Sequence, residues 1–243
     1  MESTPPESSA AVLDHIGDRM IGAMSWRFLS CAALFVTCLL TANTMATKLI
    51  MVGGVVLTAA VVIFPLSYVV GDVLTEVWGY GAARRVIWLG FACNALMVAA
   101  LWLGGVLPPA PFWKGQDAYD TIFGQTPRVL AASFVAYLVG EFANAFVLAK
   151  LKIATQGRWL WMRTIGSTVV GQALDSAVFV TAAFAGTVAA GTLLQIVTAQ
   201  WIVKVLYEAA ATPLTYAAVG WLKSREGVDV YDRHTDFNPV HLG

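Results

Sequence analysis

Six ionisable side chains stand where a charge is costly. Asp72, Glu76, Glu141, Asp175, Lys204 and Glu208 all fall inside long apolar stretches. A charged side chain near the centre of a bilayer costs at least roughly 2.5–3.5 kcal/mol on insertion scales. These groups therefore turn away from lipid, toward one another or toward a polar interior. Their spacing sorts them into stripes, because residues three and four apart share a helix face. Tyr68, Asp72 and Glu76 follow at i, i+4 and i+8. Tyr137 and Glu141 are four apart, with Asn144 three further on. Thr168, Gln172 and Asp175 make a third stripe, and Gln200, Lys204 and Glu208 a fourth. Four inward stripes outline a mid-membrane cavity for a small polar solute. The candidate binding residues are Asn43, Tyr68, Asp72, Glu76, Glu141, Asn144, Gln172, Asp175, Gln200 and Lys204. The competing account is internal pairing, Glu76 with Arg84 or Arg163 and Lys204 with Glu208 or Asp175. The surplus of acids over the single interior base leaves more negative charge than packing alone compensates, unless some acids hold protons.

The elements that position these stripes are membrane helices. The 243 residues are 58% hydrophobic and 12% charged, with a mean hydropathy of +0.69. A soluble domain carries about 25% charged residues to hydrate its surface. A bilayer core about 30 Å thick takes roughly 20 apolar residues at 1.5 Å each. Six runs qualify: Trp26–Ala46, Val56–Trp78, Val86–Leu107, Val129–Ala149, Arg163–Gly186 and Thr192–Leu222. The expected fold is an all-α polytopic membrane protein with six transmembrane helices over 26–222. Polar tails at 1–25 and 223–243 flank it. The N-terminal tail lacks the apolar h-region of a cleavable signal peptide. Pro65 is expected to kink the second helix just before Asp72.

Loop charges predict orientation. With both termini cytoplasmic, eleven Lys and Arg residues fall on the inner side and three (Lys48, Lys114 and Arg128) on the outer, as the positive-inside rule requires. The loop at 108–127 is then external. Its prolines, glycines and aromatics fit an interfacial belt or a lid over the pathway. A faint repeat relates Gly71–Glu76 to Gly171–Ser176, and Ala42-Asn43 to Ala143-Asn144, about 100 residues apart. It would make the bundle a 3+3 inverted repeat, an arrangement common in secondary transporters.

Several chemistries find no support. His15, His234 and His241 lie in the polar tails, so the interior holds no histidine to activate a serine or bind a metal. Cys31, Cys38 and Cys93 form no CxxC pair and no disulfide framework. The chain has no P-loop, and its zero net charge points to no nucleic-acid partner. Neither enzyme nor cofactor is expected.

The stretch Phe64-Pro65-Leu66-Ser67-Tyr68-Val69-Val70-Gly71-Asp72-Val73-Leu74-Thr75-Glu76-Val77-Trp78-Gly79-Tyr80, continuing to Ala83-Arg84-Arg85, resembles the queuosine precursor transporter family, also called vitamin uptake transporters. Thr126–Glu141, Arg163-Thr164-Ile165-Gly166-Ser167 with Gly171-Gln172 and Asp175-Ser176, and Lys204 with Tyr207 and Pro213 fit it as well. The resemblance covers roughly residues 43–216. It implies a bacterial inner-membrane importer of 7-deazaguanines such as 7-cyano-7-deazaguanine, its partners being that small molecule and the lipid bilayer. A homodimer is compatible with it. A guanine-like edge would offer its N–H and amine to a carboxylate, its carbonyl to Gln172, Asn144 or Lys204, and its ring to Tyr68, Tyr137 or Trp201. Two alternatives stand beside it: a substrate-binding subunit of a vitamin importer that needs a separate energising module, and a membrane assembly protein whose buried charges only pair with one another. The orientation is checked by reporter fusions at Gly243 and within Gly115–Gly124. The first should report cytoplasm and the second the outer side; the reverse result would invert the assignment.

Overall fold

Caps and apolar runs set the helices of the computed structural model, which describes residues 25–52, 55–124, 127–186 and 189–241. The expected tail at 1–25 lies, up to residue 24, outside the described residues. Helix α1 (Trp26–Met45) opens at Ser25, whose Oγ accepts from the Phe28 N–H at 3.1 Å. A side-chain oxygen there satisfies one of the helix's free donors. A short antiparallel hairpin follows, β1 (Leu49–Val52) against β2 (Val55–Thr58), with Leu49 opposite Thr58 and Val52 opposite Val55. A 3₁₀ turn (Ala59–Val62) leads into α2 (Phe64–Trp78). Then come α3 (Tyr80–Val106), the short α4 (Gln116–Phe123), α5 (Pro127–Ala154), α6 (Leu160–Phe184) and α7 (Ala190–Glu226).

The chain is an all-α polytopic membrane protein, and one expected span is rebuilt. Helices α1, α3, α5, α6 and α7 are long and apolar enough to cross a bilayer. The run Val56–Trp78 is not one continuous helix. Its first third is strand and 3₁₀ turn, and α2 keeps 15 residues, about 22 Å at 1.5 Å per residue. Two local features explain the break. Val52, Val55 and Val56 are β-branched and favour strand over helix. Pro65 occupies the first turn of α2, where a missing N–H costs nothing. The expected kink is therefore a helix start.

Helix α2 is the axis of the bundle. Twelve of its 15 residues are buried, and α1, α3, α5 and α7 all pack against it. Apolar residues surround its polar stripe on every side, the pattern of a helix enclosed by others. Helices α5 and α6 form the tightest pair. A Cβ added at Gly171 would lie 2.8 Å from the Asn144 Cβ and 2.9 Å from the Gly140 carbonyl; one at Gly140 would lie 2.7 Å from the Asp175 Cβ. Backbone thus meets backbone at these two glycines, the close approach that small residues permit between membrane helices. Helix α7 packs through Glu208, Thr212, Thr215, Val219 and Leu222. Its first half leaves Leu194, Ile202 and Leu206 exposed. Helix α4, in the expected outer loop, folds back on α3: Tyr119 Oη donates to the Leu101 carbonyl at 2.7 Å, and Gln116 Nε2 to Gly105 at 3.2 Å.

Charge closes the other end. Glu76 is fully buried. Arg163 grips it with Nη2 at 2.8 Å from Oε1 and Nε at 3.2 Å from Oε2. Lys223 lies 2.7 Å from Oε1 and Lys152 3.8 Å. Both lysines also reach Asp229, Lys152 at 2.6 Å and Lys223 at 2.8 Å. Burial raises the Asp229 carboxyl, but hydrogen bonds from Lys152 and Lys223 outweigh it and hold the group below the ordinary carboxylate range. That contribution to stability is full at neutral pH and fades only as pH falls through the lowered value.

The expected C-terminal tail begins inside this knot and runs back over the bundle. Val230 N–H donates to the Val77 carbonyl at 3.2 Å. The Asp232 carboxylate accepts from Tyr80 N–H at 2.9 Å, placing a negative charge at the start of α3 where the helix dipole favours it. Arg84 Nη1 donates to the carbonyls of Asp236 and Asn238, and Trp88 Nε1 to that of Pro239. Gly79 makes the turn between α2 and α3 with φ +83, and a Cβ there would lie 2.7 Å from Val230. Only glycine fits both the backbone and the docked segment. Removing one partner of a buried pair is strongly destabilising, because the other charge stays buried. Arg163→Met should therefore lower stability by about 3–5 kcal/mol, read as an earlier thermal transition in detergent. Lys223→Met, at the half-exposed rim, should cost less; equal transitions for the two variants would contradict the knot's role.

Candidate functional site

The polar stripes converge above the knot, brought together by the α5–α6 crossing. Gly140 and Gly171 let the backbones touch, so Glu141 and Asn144 on α5 face Gln172 and Asp175 on α6 across a short gap. Helix α2 supplies Tyr68 and Asp72, and α7 supplies Lys204 and Glu208. Asn144 Nδ2 donates to Asp72 Oδ1 at 2.7 Å, both groups being fully buried. Lys204 Nζ lies 2.6 Å from Asp175 Oδ2, the lysine side chain 21% and the aspartate side chain 12% exposed. The ammonium also sits 4.8 Å from the centre of the Phe64 ring, within cation–π range. Trp201 Nε1 donates to the Val169 carbonyl at 3.0 Å, tying α7 to α6 beside this pair.

A narrow cleft lies between α2, α6 and α7, walled by Phe64, Tyr68, Thr168, Gln172, Lys204 and Glu208. Its enclosed room is about 10 Å³, enough for about one water molecule. A second gap, with about 10 Å³ of room, is lined by Phe35, Gly71, Glu141 and Asn144.

Hydrogen-bonding capacity marks the region more strongly than shape. In this region Asp72 Oδ2, Asn144 Oδ1, Thr168 Oγ1, Gln172 Oε1, Ser176 Oγ and Glu208 Oε1 are buried without a protein partner; the one other such atom among the described residues, Arg84 Nε, belongs to the side chain that holds the C-terminal segment. Each such group carries a desolvation cost of about 1–3 kcal/mol. Four of the six can only accept, so the interior is short of donors. Groups of this kind suit a ligand that brings N–H donors.

The predicted residues divide. Tyr68, Asp72, Glu141, Asn144, Gln172, Asp175 and Lys204 come together in this region. Glu76 does not: both of its oxygens belong to the ion-pair knot. Asn43 does not either, since its Nδ2 donates to Asn94 Oδ1 at 2.9 Å and ties α1 to α3. Gln200 is half-buried on α7, one turn before Lys204. Tyr137 faces away, its hydroxyl donating to the Ile87 carbonyl at 3.0 Å. Glu208, Thr168 and Phe64 wall the cleft but are absent from the candidate set. The signal for the first two was the stripe spacing, and for Phe64 the aromatic preceding Pro65.

Comparisons with known proteins find one family and several relatives. Residues 58–218 match the family described as "Putative vitamin uptake transporter". A "Probable queuosine precursor transporter" of Bacillus subtilis is 32% identical over 180 residues, 73% of this chain and 78% of that protein. A "Queuosine precursor transporter" of Escherichia coli is 28% identical over 124 residues, 50% of this chain and 52% of that protein. A "DNA translocase FtsK" of Mesorhizobium japonicum is 26% identical over 142 residues, which are 54% of this chain but 15% of that much longer protein. No solved structure matches.

Proposed function

Because this chain belongs to the vitamin uptake transporter family, a family of transporters and not of enzymes, we propose that it imports queuosine precursors, 7-cyano-7-deazaguanine and related 7-deazaguanines, across the bacterial inner membrane. The relatives' names motivate the cargo. The single observation that favours it is the buried excess of unpartnered acceptors beside one paired lysine. A 7-deazaguanine edge presents a ring N–H and an amine side by side, which a carboxylate or an amide oxygen accepts. Its carbonyl needs a donor, and Lys204 is the cation in the cleft wall. Its ring matches the aromatic faces of Phe64 and Tyr68, whose centres lie 5.0 Å apart. A site built on such polar pairs rejects a ligand that leaves them unpaired.

In this reading both termini are cytoplasmic, and the knot around Glu76 with its docked C-terminal segment closes the cytoplasmic end. The cleft is then reached from the outer side. Cargo grip belongs to Tyr68, Gln172, Asp175, Lys204 and Glu208. Asp72, Asn144 and Glu141 form a layer behind them. The two halves are read as an inverted repeat, in which Asn43 and Asn144 each tie their helix to a neighbour through a side-chain amide.

Asp175→Asn keeps the volume and removes the charge facing Lys204. Uptake of 7-cyano-7-deazaguanine into liposomes holding the purified chain alone should fall by about tenfold or more, corresponding to about 1.4 kcal/mol. Membrane abundance should hold. A ligand at 100 times its Kd should stabilise the wild type by about 2.7 kcal/mol and the variant less. Wild-type uptake by the variant would remove Asp175 from the site. A folding defect rescued by adding Lys204→Met would make the pair structural. Uptake that requires a second protein would assign the chain to the binding-subunit class.

A further inference from the structure

The interior acids that no cation reaches carry a consequence beyond cargo binding. Asp72 is 0% exposed, Glu208 1% and Glu141 3%. Among the described residues none of the three has a lysine or arginine nitrogen within ion-pair distance. The cations in the bundle are engaged elsewhere: Lys204 with Asp175, and Arg163, Lys152 and Lys223 with Glu76 and Asp229. Asp72 has one hydrogen bond, from Asn144 to Oδ1, while its Oδ2 and Glu208 Oε1 are buried without partners.

The surroundings of Asp72 offer it one amide donor, from Asn144, and no cation. Helix α7 presents Glu208, α5 presents Glu141 and Asn144, and α2 itself presents Glu76; the charges acting on Asp72 are those of Glu208, Glu141 and Glu76, all negative. Helices α1 and α3 contribute Phe35, Val86 and Ile87 to this side, with no charge. On α6, Thr168 and Gln172 share the cleft wall with Glu208 and Lys204. Like charges in a dry interior cannot all ionise, and at least one must take up a proton or a cation. Among the described residues no three carboxylate, histidine or cysteine groups gather as they would around a metal ion. A proton meets the need with one particle. It cancels a charge, and the O–H it creates is the donor that the neighbouring oxygens lack.

We propose that Asp72 and Glu208 form a proton-binding site coupled to cargo movement, making the protein a proton-driven importer. This rests on the importer reading above. Glu208 walls the cleft and Asp72 lies behind it, so cargo and proton act on one connected set of side chains. Whatever proton occupancy does to cargo affinity, cargo does equally to proton affinity. A proton entering from the outer side and leaving to the cytoplasm would draw cargo with it.

Two measurements on the full chain test this. In infrared spectra at neutral pH, the wild type should show the C=O stretch of a buried protonated carboxyl, and Asp72→Asn should lack it. In liposomes, an inward proton gradient should speed net 7-cyano-7-deazaguanine uptake by the wild type by about tenfold, within the usual range of coupling between sites. Asp72→Asn keeps the oxygen that Asn144 uses but cannot bind or release a proton. Whatever gradient-free exchange of labelled cargo it shows is its own baseline, and an inward proton gradient should leave that rate unchanged. A missing band overturns the site. A band with uptake indifferent to the proton gradient, or driven by sodium instead, overturns the coupling, as does gradient-driven uptake by the variant. If the wild type exchanges no deazaguanine at all, the cargo assignment fails by itself, and the infrared band then decides the proton site alone.

Discussion

A carboxylate inside a lipid-embedded bundle has no water to solvate it, and the architecture follows from how each one is compensated. Coulomb forces are strong in a dry interior, but so is the penalty for an unpaired charge. Glu76 meets the constraint with three cations drawn from three segments: Lys152 from α5, Arg163 from α6 and Lys223 from α7. The knot joins the ends of three helices to the last turn of the bundle's axis. The residual positive charge recruits Asp229, and with it the C-terminal segment. That segment then caps α3 through Asp232 and engages Arg84 and Trp88 by their side-chain donors. One buried acid thus orders everything at that end.

The opposite solution appears one turn away. Asp72 has a single amide donor and no cation, and Glu208 keeps an oxygen without a partner. Fully paired polar groups rigidify a core, whereas partly paired ones leave it responsive to whatever supplies the missing bond. The same helix, α2, therefore carries a locked acid at its last turn and an under-compensated acid at its centre.

Helix α2 can play both parts because it is short and enclosed. Non-helical backbone beside a helix that falls short of a full span needs its polar groups satisfied. The hairpin does this by pairing β1 with β2, and the Ala59 N–H closes onto the Lys48 carbonyl at 2.8 Å. Pro65 starts the helix at the cleft, so that Phe64 and Tyr68 wall it and Asp72 follows one turn along α2. At the other wall, the glycine contact between α5 and α6 sets the spacing of Asn144 and Asp175. A methyl group at either glycine would push those side chains apart.

Much of this was legible along the chain. The deficit of charge announced a membrane protein, and helical spacing placed Tyr68, Asp72, Glu141, Asn144, Gln172, Asp175 and Lys204 on inward faces, because lipid excludes such groups wherever the helices sit. Local physics alone carries those conclusions. The partners were legible only in part: Arg163 for Glu76 and Asp175 for Lys204 stood among the pairings the sequence offered, and both form. Spacing shows that Glu76 and Asp72 share a face but not that one meets three cations and the other an amide, since those lie about 70 to 150 residues away. The hydropathy of Val56–Trp78 counted apolar residues, and apolar strand and apolar helix score alike. Asp229 and Asp232 read as an ordinary polar tail, because only the assembled bundle creates the positive knot and the free helix start that hold them.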